Sequence, residues 1–84
     1  MSYDKRRIFE IVKSNTLNVL PDLLPADITI DKNLTDLGAN SVDRVEIVLY
    51  SLDDLHLKIP TSELHGVRDI RTLVDLLFRH ATAD

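Results

Sequence analysis

A serine hydroxyl at the predicted start of a helix is the group in this sequence whose type and position best suit chemistry. Ser41 follows a loop that contains Gly38 and precedes a stretch rich in apolar residues. Unpaired backbone amides and the helix dipole favour an anion at a helix N-terminus, so an anionic group on this hydroxyl would be stabilised there. Gly38 and Ala39 should leave the approach to the hydroxyl open. Asp36 and Asn40 offer side chains that can order the turn.

A simpler interpretation of the same residues is a helix cap. Asn and Ser are among the preferred N-cap residues, and an isolated Asn40–Ser41 pair before a helix would favour that interpretation. The two interpretations differ in what they require. A cap needs only the helix, whereas an attachment site also needs an exposed hydroxyl that a modifying enzyme can reach.

Helices on either side of a long loop are predicted to position this serine. Helix one runs from Tyr3 to about Leu20 and is stopped by Pro21. Residues 21–40 form a loop, which is unusually long for a compact domain and is therefore a candidate for function. Helix two runs from Ser41 to about Leu55. The apolar residues expected to pin the loop to the helices are Leu23, Leu24, Ile28, Ile30, Leu34 and Leu37.

The C-terminal part of the chain predicts a short helix and a longer one. Thr61 or Ser62 can cap a short third helix that ends at Gly66. The fourth helix runs from Ile70 to about His80. Its buried face is expected to contain Leu73, Val74, Leu76 and Leu77. The predicted fold is all-α, a small four-helix bundle with a long first loop, and residues 1–84 are expected to form one domain.

Helix two carries both apolar and acidic residues, and each set suggests a different face. The residues expected to form an apolar stripe behind the serine are Val42, Val45, Val48, Leu49, Leu52 and Leu55. The residues expected on the other side, as a docking surface, are Asp43, Glu46, Ile47, Tyr50 and Asp54, with Arg44 towards one edge. Acids mixed with an apolar residue suit transient docking, because charge steers the encounter and the apolar contact fixes the register. The alternative, that the acids are simply solvated and Ile47 belongs to the core, stays open.

Composition and charge exclude several classes of protein. The chain has 84 residues, of which 44% are hydrophobic and 29% charged, as in an ordinary soluble domain. Its net charge of -4 argues against nucleic-acid binding, including a helix-turn-helix DNA binder, and suits partners with basic docking surfaces. The sequence contains no signal peptide and no apolar run long enough to cross a bilayer, so no membrane association and a cytoplasmic location are expected.

The sequence contains no motif for a metal site, a catalytic triad or a phosphate-binding loop. The three histidines, His56, His65 and His80, have no metal-ligand spacing, so no metal site is expected. No Ser-His-Asp order or glycine-rich phosphate loop is present, and we expect no catalytic residues.

The serine and its surroundings resemble the attachment site of acyl carrier proteins. The resemblance begins with Asp-x-Gly-x-x-Ser-apolar at Asp36–Val42 and extends to Ile59-Pro60 and to the run Ile70–Val74, so it covers nearly the whole chain. It implies that Ser41 carries 4'-phosphopantetheine, attached by a phosphopantetheinyl transferase. It also implies that the chain is a monomer that presents an acyl group to enzymes and is not an enzyme itself. Because the sequence has no cysteine, any thioester must form on a thiol that the cofactor brings.

Two longer runs look like the free-standing donor carriers of polyketide β-branching cassettes. These runs are Gly38–Ile47 and Leu57–Leu64. Asn40 stands where most carriers have Asp, which removes one charge but keeps a capping side chain. The resemblance implies an acetyl or malonyl-derived acetyl unit donated to an enzyme similar to 3-hydroxy-3-methylglutaryl (HMG) synthase. It further implies an acyltransferase and a decarboxylating ketosynthase-like enzyme as partners.

Two alternatives stay open at this point. The first is an ordinary carrier for fatty-acid or polyketide chain elongation. The second, from another class, is an unmodified helical docking module that merely shares the shape. Uptake of a pantetheine arm separates the second alternative from any carrier.

Overall fold

The computed structural model describes residues 3–82, and within them it consists of helices and loops with no strand. The four α-helices are α1 (Lys5–Val19), α2 (Ser41–Leu55), α3 (Thr61–Leu64) and α4 (Ile70–Ala81). A single 3-10 turn, Pro25–Asp27, interrupts the long loop between α1 and α2. The predicted all-α bundle with a long first loop and a short third helix is confirmed.

Capping residues set the helix boundaries. The Asp4 side chain accepts a hydrogen bond from the Arg7 amide at 2.8 Å, so α1 begins at Lys5, two residues later than predicted. Helix α2 has the predicted bounds. The prediction for α3 was wrong at both ends. Pro60 occupies the cap position without a side-chain hydrogen bond and Thr61 is already helical, and the helix ends at Leu64, two residues before Gly66.

The core lies between α1, α2 and α4, since α1 packs against both of the other long helices. Helix α4 contributes the largest share, and the face predicted for it is buried as expected. The buried hydrophobic residues are Ile8, Val12, Ile28, Leu34, Ala39, Ile47, Leu52, Leu55, Ile70, Leu73, Val74, Leu76 and Leu77. No helix within residues 3–82 combines the length and the apolar character needed to cross a bilayer.

The long loop is held down at several points. Ile28 and Leu34 are buried, as expected of residues that hold the loop against the helices. Leu24 was predicted to do the same, but it is 66% exposed and does not. The first two amides of α4 have no partner inside their own helix, and they donate instead to loop carbonyls. The Ile70 amide reaches the Lys32 oxygen and the Arg71 amide reaches the Ile30 oxygen, both at 2.9 Å. These bonds fix the loop over the start of α4.

The orientation of α2 differs from the predicted stripe. Ile47 and Ser51 are fully buried and face α1, where the Asn15 side chain donates to the Ser51 hydroxyl at 3.2 Å. The Ser51 hydroxyl in turn donates to the Ile47 carbonyl at 2.8 Å, so this polar group is satisfied inside the core. Of the predicted stripe, Leu52 and Leu55 are buried and Val48 is half-buried. The remaining three are exposed: Val42 by 67%, Val45 by 56% and Leu49 by 54%.

Candidate functional site

A tight turn at the end of the long loop delivers Ser41 to the surface. The Gly38 amide donates to the Thr35 carbonyl at 3.0 Å, and the Ala39 amide donates to the Leu34 carbonyl at 2.9 Å. Gly38 has a φ of 104°, a conformation that side-chain-bearing residues rarely adopt, although a Cβ there would meet no atom within 4 Å. Glycine is therefore required by the backbone and not by lack of space.

Ala39 and Asp36 were both predicted to shape this turn, and both act differently from the prediction. Ala39 does not keep the approach open but is buried in the core, where with Leu34 it anchors the turn. The acceptor that orders the turn is Asn33, whose side-chain oxygen accepts from the Asp36 amide at 2.7 Å. The sequence could have indicated this, because an Asn side chain often accepts from the amide three residues later, as it does at a helix cap.

The start of α2 is capped by Asn40 and not by Ser41. The Asn40 side chain accepts from the Asp43 amide at 2.8 Å, and the Asp43 carboxylate accepts from the Asn40 amide at 3.2 Å. This reciprocal capping box leaves the Ser41 hydroxyl free of any capping role. Within residues 3–82 the amides of Ser41 and Val42 donate to no protein acceptor. An exposed hydroxyl with two unpaired amides beside it suits an attached anion.

Arg44 is the side chain in contact with the Ser41 hydroxyl. One guanidinium nitrogen, Nη2, donates to Ser41 Oγ at 3.2 Å, and the other, Nη1, donates to Thr35 Oγ1 at 3.1 Å. A guanidinium carries only donors and keeps its proton, so it cannot act as a general base towards the serine. Among the described residues no His, Asp or Glu is hydrogen-bonded to the hydroxyl. The described residues therefore place no general base at Ser41.

The structure separates the predicted docking residues by role. Glu46 accepts a hydrogen bond from the Tyr50 hydroxyl at 3.2 Å, which raises the pKa of Tyr50 above 10.0. Asp54 accepts from the Asn15 side chain at 3.0 Å and thereby joins α2 to α1. Asp43 belongs to the capping box, as described above. Ile47 is fully buried, so its assignment to a docking surface was wrong: it belongs to the core.

An exposed apolar surface next to Ser41 was missed by the sequence prediction. We call Val42, Val45 and Leu49 the outer face of α2. It borders a groove of about 480 Å³ between α2 and α3. The residues that line this groove include Ser41, Arg44, Val45, Leu49, Leu64 and Arg68. An apolar face of this kind beside a functional group is a candidate contact surface for a partner.

The described part of the chain offers no cluster of side chains for a metal ion. No group of three His, Asp or Glu side chains within residues 3–82 could hold a metal ion. His80 is engaged instead with Glu63, whose carboxylate lies 2.9 Å from Nε2, and this contact joins α4 to α3.

Comparison with known proteins identifies relatives over most of the chain. The acyl carrier protein AcpK of polyketide biosynthesis in Bacillus subtilis strain 168 is 47% identical over 75 residues, which cover 89% of this chain and 92% of AcpK. An acyl carrier protein of Campylobacter hominis is 34% identical over 76 residues, covering 83% of this chain and 92% of the relative.

Comparison with solved structures also finds a chain of similar fold. The crystal structure of the curacin biosynthetic pathway HMG synthase in complex with acetyl donor-ACP contains a chain that superposes on this one with a TM-score of 0.81 and 35% identity. The match covers 88% of this chain and 95% of that chain, so the matching chain is the small carrier and not the synthase.

A family model described as a phosphopantetheine attachment site matches residues 16–77. This range includes the loop, the turn and all of α2, and thus the serine, its unpaired amides and its arginine neighbour. The chain therefore belongs to the family of acyl carrier proteins, whose members receive 4'-phosphopantetheine.

Proposed function

We propose that this protein is an acetyl-donor carrier of polyketide β-branching. In this proposal it holds an acetyl or malonyl-derived acetyl unit as a thioester and gives it to an HMG-synthase-like enzyme. The observation that carries the proposal is the likeness to the acetyl donor-ACP in complex with HMG synthase, at 35% identity and a TM-score of 0.81. The 47% identity to AcpK supports the polyketide context.

Ser41 is the proposed attachment point for the arm. Its hydroxyl is exposed, it lies at the first position of α2, and the capping box of Asn40 and Asp43 leaves it free for modification. The unpaired amides of Ser41 and Val42 can stabilise the phosphodiester that attachment leaves behind. The arm supplies a terminal thiol, which the chain itself lacks because it contains no cysteine. The protein acts in this proposal as a carrier and performs no catalysis of its own.

The proposed contact surface for the synthase is the outer face of α2. Val45 and Leu49 are exposed on the same side of the helix as Val42, directly after the attachment serine. Glu46 lies next to this face, three residues before Leu49, so its charge can steer a basic partner while the apolar residues fix the register. Tyr50 extends the surface through its hydrogen bond to Glu46.

The remaining partners are proposed from the resemblance to the donor carriers of β-branching cassettes. A phosphopantetheinyl transferase attaches the arm, an acyltransferase loads a malonyl unit, and a decarboxylating ketosynthase-like enzyme converts it to acetyl. We place these steps in the cytoplasm, with the carrier acting as a monomer.

Loading tests this proposal at its first step. Incubation with coenzyme A and a phosphopantetheinyl transferase should raise the intact mass by one pantetheine arm, and peptide mapping should place the arm on Ser41. The acetyl-loaded protein should then transfer its acetyl group to the synthase. An unchanged mass would point instead to an unmodified helical docking module.

A further inference from the structure

One arginine bridges the loop and the attachment serine. The guanidinium of Arg44 donates to Ser41 Oγ at 3.2 Å through one nitrogen and to Thr35 Oγ1 at 3.1 Å through the other. Thr35 belongs to the turn that Leu34 and Ala39 anchor, so it holds the guanidinium at a fixed place beside the hydroxyl. The side chain is thereby directed at the oxygen that is proposed to bear the phosphodiester.

The charge of Arg44 has no acidic partner in the described part of the chain. The ion pairs within residues 3–82 are Lys5 with Asp75 and His80 with Glu63, and neither involves Arg44. Arg44 also lies in the first turn of α2, where the helix dipole disfavours a cation by about 0.3–1 kcal/mol. An unpaired cation in an unfavourable position gains most from an anion placed within its reach.

A phosphodiester on Ser41 is an anion of the right shape. The planar fork of a guanidinium matches two phosphate oxygens, and such charge-assisted hydrogen bonds are stronger than the neutral ones to the two hydroxyls. The unpaired amides of Ser41 and Val42 supply further donors. The Arg44 guanidinium and the two amides are all donors, which suits the two non-bridging oxygens of a phosphodiester.

We propose that Arg44, held by Thr35, is a positioning residue that clamps the phosphodiester of the arm against the N-terminus of α2. This inference rests on the proposed attachment at Ser41. Because Arg44 forms part of the wall of the groove between α2 and α3, the clamp fixes the first atoms of the arm on that side of Ser41. The arm then leaves the protein in a restricted direction next to the outer face of α2.

The test compares armed and unarmed forms of five proteins: wild type, Arg44→Gln, Arg44→Lys, Thr35→Val and the control Arg68→Gln. Arg68 is exposed and lines the same groove, but the hydrogen bond to Ser41 comes from Arg44 and not from Arg68. Intact mass first establishes that each sample carries the arm. The ³¹P transverse relaxation rate then reports how far the phosphodiester tumbles with the protein.

The clamp predicts fast ³¹P relaxation in wild type and in Arg68→Gln, and slower relaxation in Arg44→Gln. Arg44→Lys keeps the charge but loses the fork, so its rate should lie between the two. The change in melting temperature caused by attaching the arm should also be about 1–5 °C less positive in Arg44→Gln than in wild type. Thr35→Val keeps Arg44 but removes the hydroxyl that holds its guanidinium, so it should slow the ³¹P relaxation as well. If Arg44→Gln does not accept the arm, Thr35→Val replaces it in the test.

The outcomes distinguish the clamp from the attachment. Armed wild type and armed Arg44→Gln with the same ³¹P relaxation rate and the same change in melting temperature would overturn the clamp while leaving attachment at Ser41 intact. If Arg44→Gln takes up no arm, equal relaxation rates in armed wild type and armed Thr35→Val would overturn the clamp in the same way. A wild-type chain that gains no arm would overturn both.

Discussion

Ile47 and Leu49 lie two residues apart in α2 and mark its opposite faces: Ile47 is fully buried in the core, whereas Leu49 is 54% exposed beside the groove that Ser41 borders. The helix thus presents one apolar face to the core and a second to solvent. The first face holds the bundle together, and the second is free to contact a partner.

This relationship predicts opposite effects of two matched substitutions. Ile47→Ala should lower the free energy of unfolding by about 2–5 kcal/mol, because it leaves a cavity in the core. Leu49→Ala should change it by no more than about 0.5 kcal/mol, since the side chain is largely in water already. Urea unfolding of the two variants measures the difference. Equal destabilisation by both would mean that α2 is rotated relative to the orientation described here.

Replacing the proposed attachment serine should abolish loading with little effect on the fold. Because Asn40 and not Ser41 caps α2, Ser41→Ala should cost less than about 1 kcal/mol of stability. Its mass should stay unchanged after incubation with coenzyme A and a transferase. Ser62→Ala, which removes an exposed serine on α3, is the control and should load as wild type does. Arm uptake by Ser41→Ala would show that another residue is the attachment point.

The outer face of α2 should matter for transfer and not for stability. Leu49→Ser should slow acetyl transfer to the synthase by about 5- to 30-fold in kcat/KM, through loss of an apolar contact at the interface. Leu24→Ser is the matched control, because Leu24 is 66% exposed but belongs to the long loop and not to α2. If the two variants transfer equally well, the outer face is not the contact surface.

The cap of α4 predicts a pH dependence of stability. The Asp69 carboxylate accepts from the Thr72 amide at 2.8 Å, and this bond holds the pKa of Asp69 below its usual value of 3.8. A carboxyl group whose pKa is lower in the folded protein contributes stability that is full above pH 3.8 and is lost as the pH falls through the lower folded value.

The variant Asp69→Asn tests this contribution. Asn caps a helix about as well as Asp but does not titrate, so the variant should match wild type near pH 7. As the pH falls to about 2.5, the free energy of unfolding of wild type should decrease more than that of the variant. Parallel pH profiles for the two proteins would rule out the role assigned to the Asp69 carboxylate.

Sequence periodicity predicted α4 better than α2, and the reason is physical. In α4 the apolar residues from Leu73 to Leu77 fall on one side of the helix, so a single face could be buried. In α2 apolar residues occur all around the helix, and periodicity alone could not choose between the Val45–Leu49 side and the Ile47 side. The buried Ser51 made the true inner face look polar, although its hydroxyl is satisfied by the Ile47 carbonyl.

The candidate site was predictable in its position but not in its contacts. The loop–glycine–serine spacing was enough to place Ser41 at the start of a helix, and Asn40 was recognised as a possible cap. The bond from Arg44 to Thr35 depends on how the loop folds back on α2, which no local pattern encodes. Ala39 looked like a small residue that keeps space open, but its burial also depends on that folding.

The central claim, donation of acetyl to an HMG-synthase-like enzyme, is tested most directly by side-by-side transfer from one acetyl-loaded sample. The sample is divided between such a synthase and a chain-elongating ketosynthase, and acetylation of each enzyme is followed by intact mass. The proposal predicts rapid transfer to the synthase and poor transfer to the ketosynthase. Efficient transfer to the ketosynthase with none to the synthase would contradict it and would make the protein an ordinary elongation carrier.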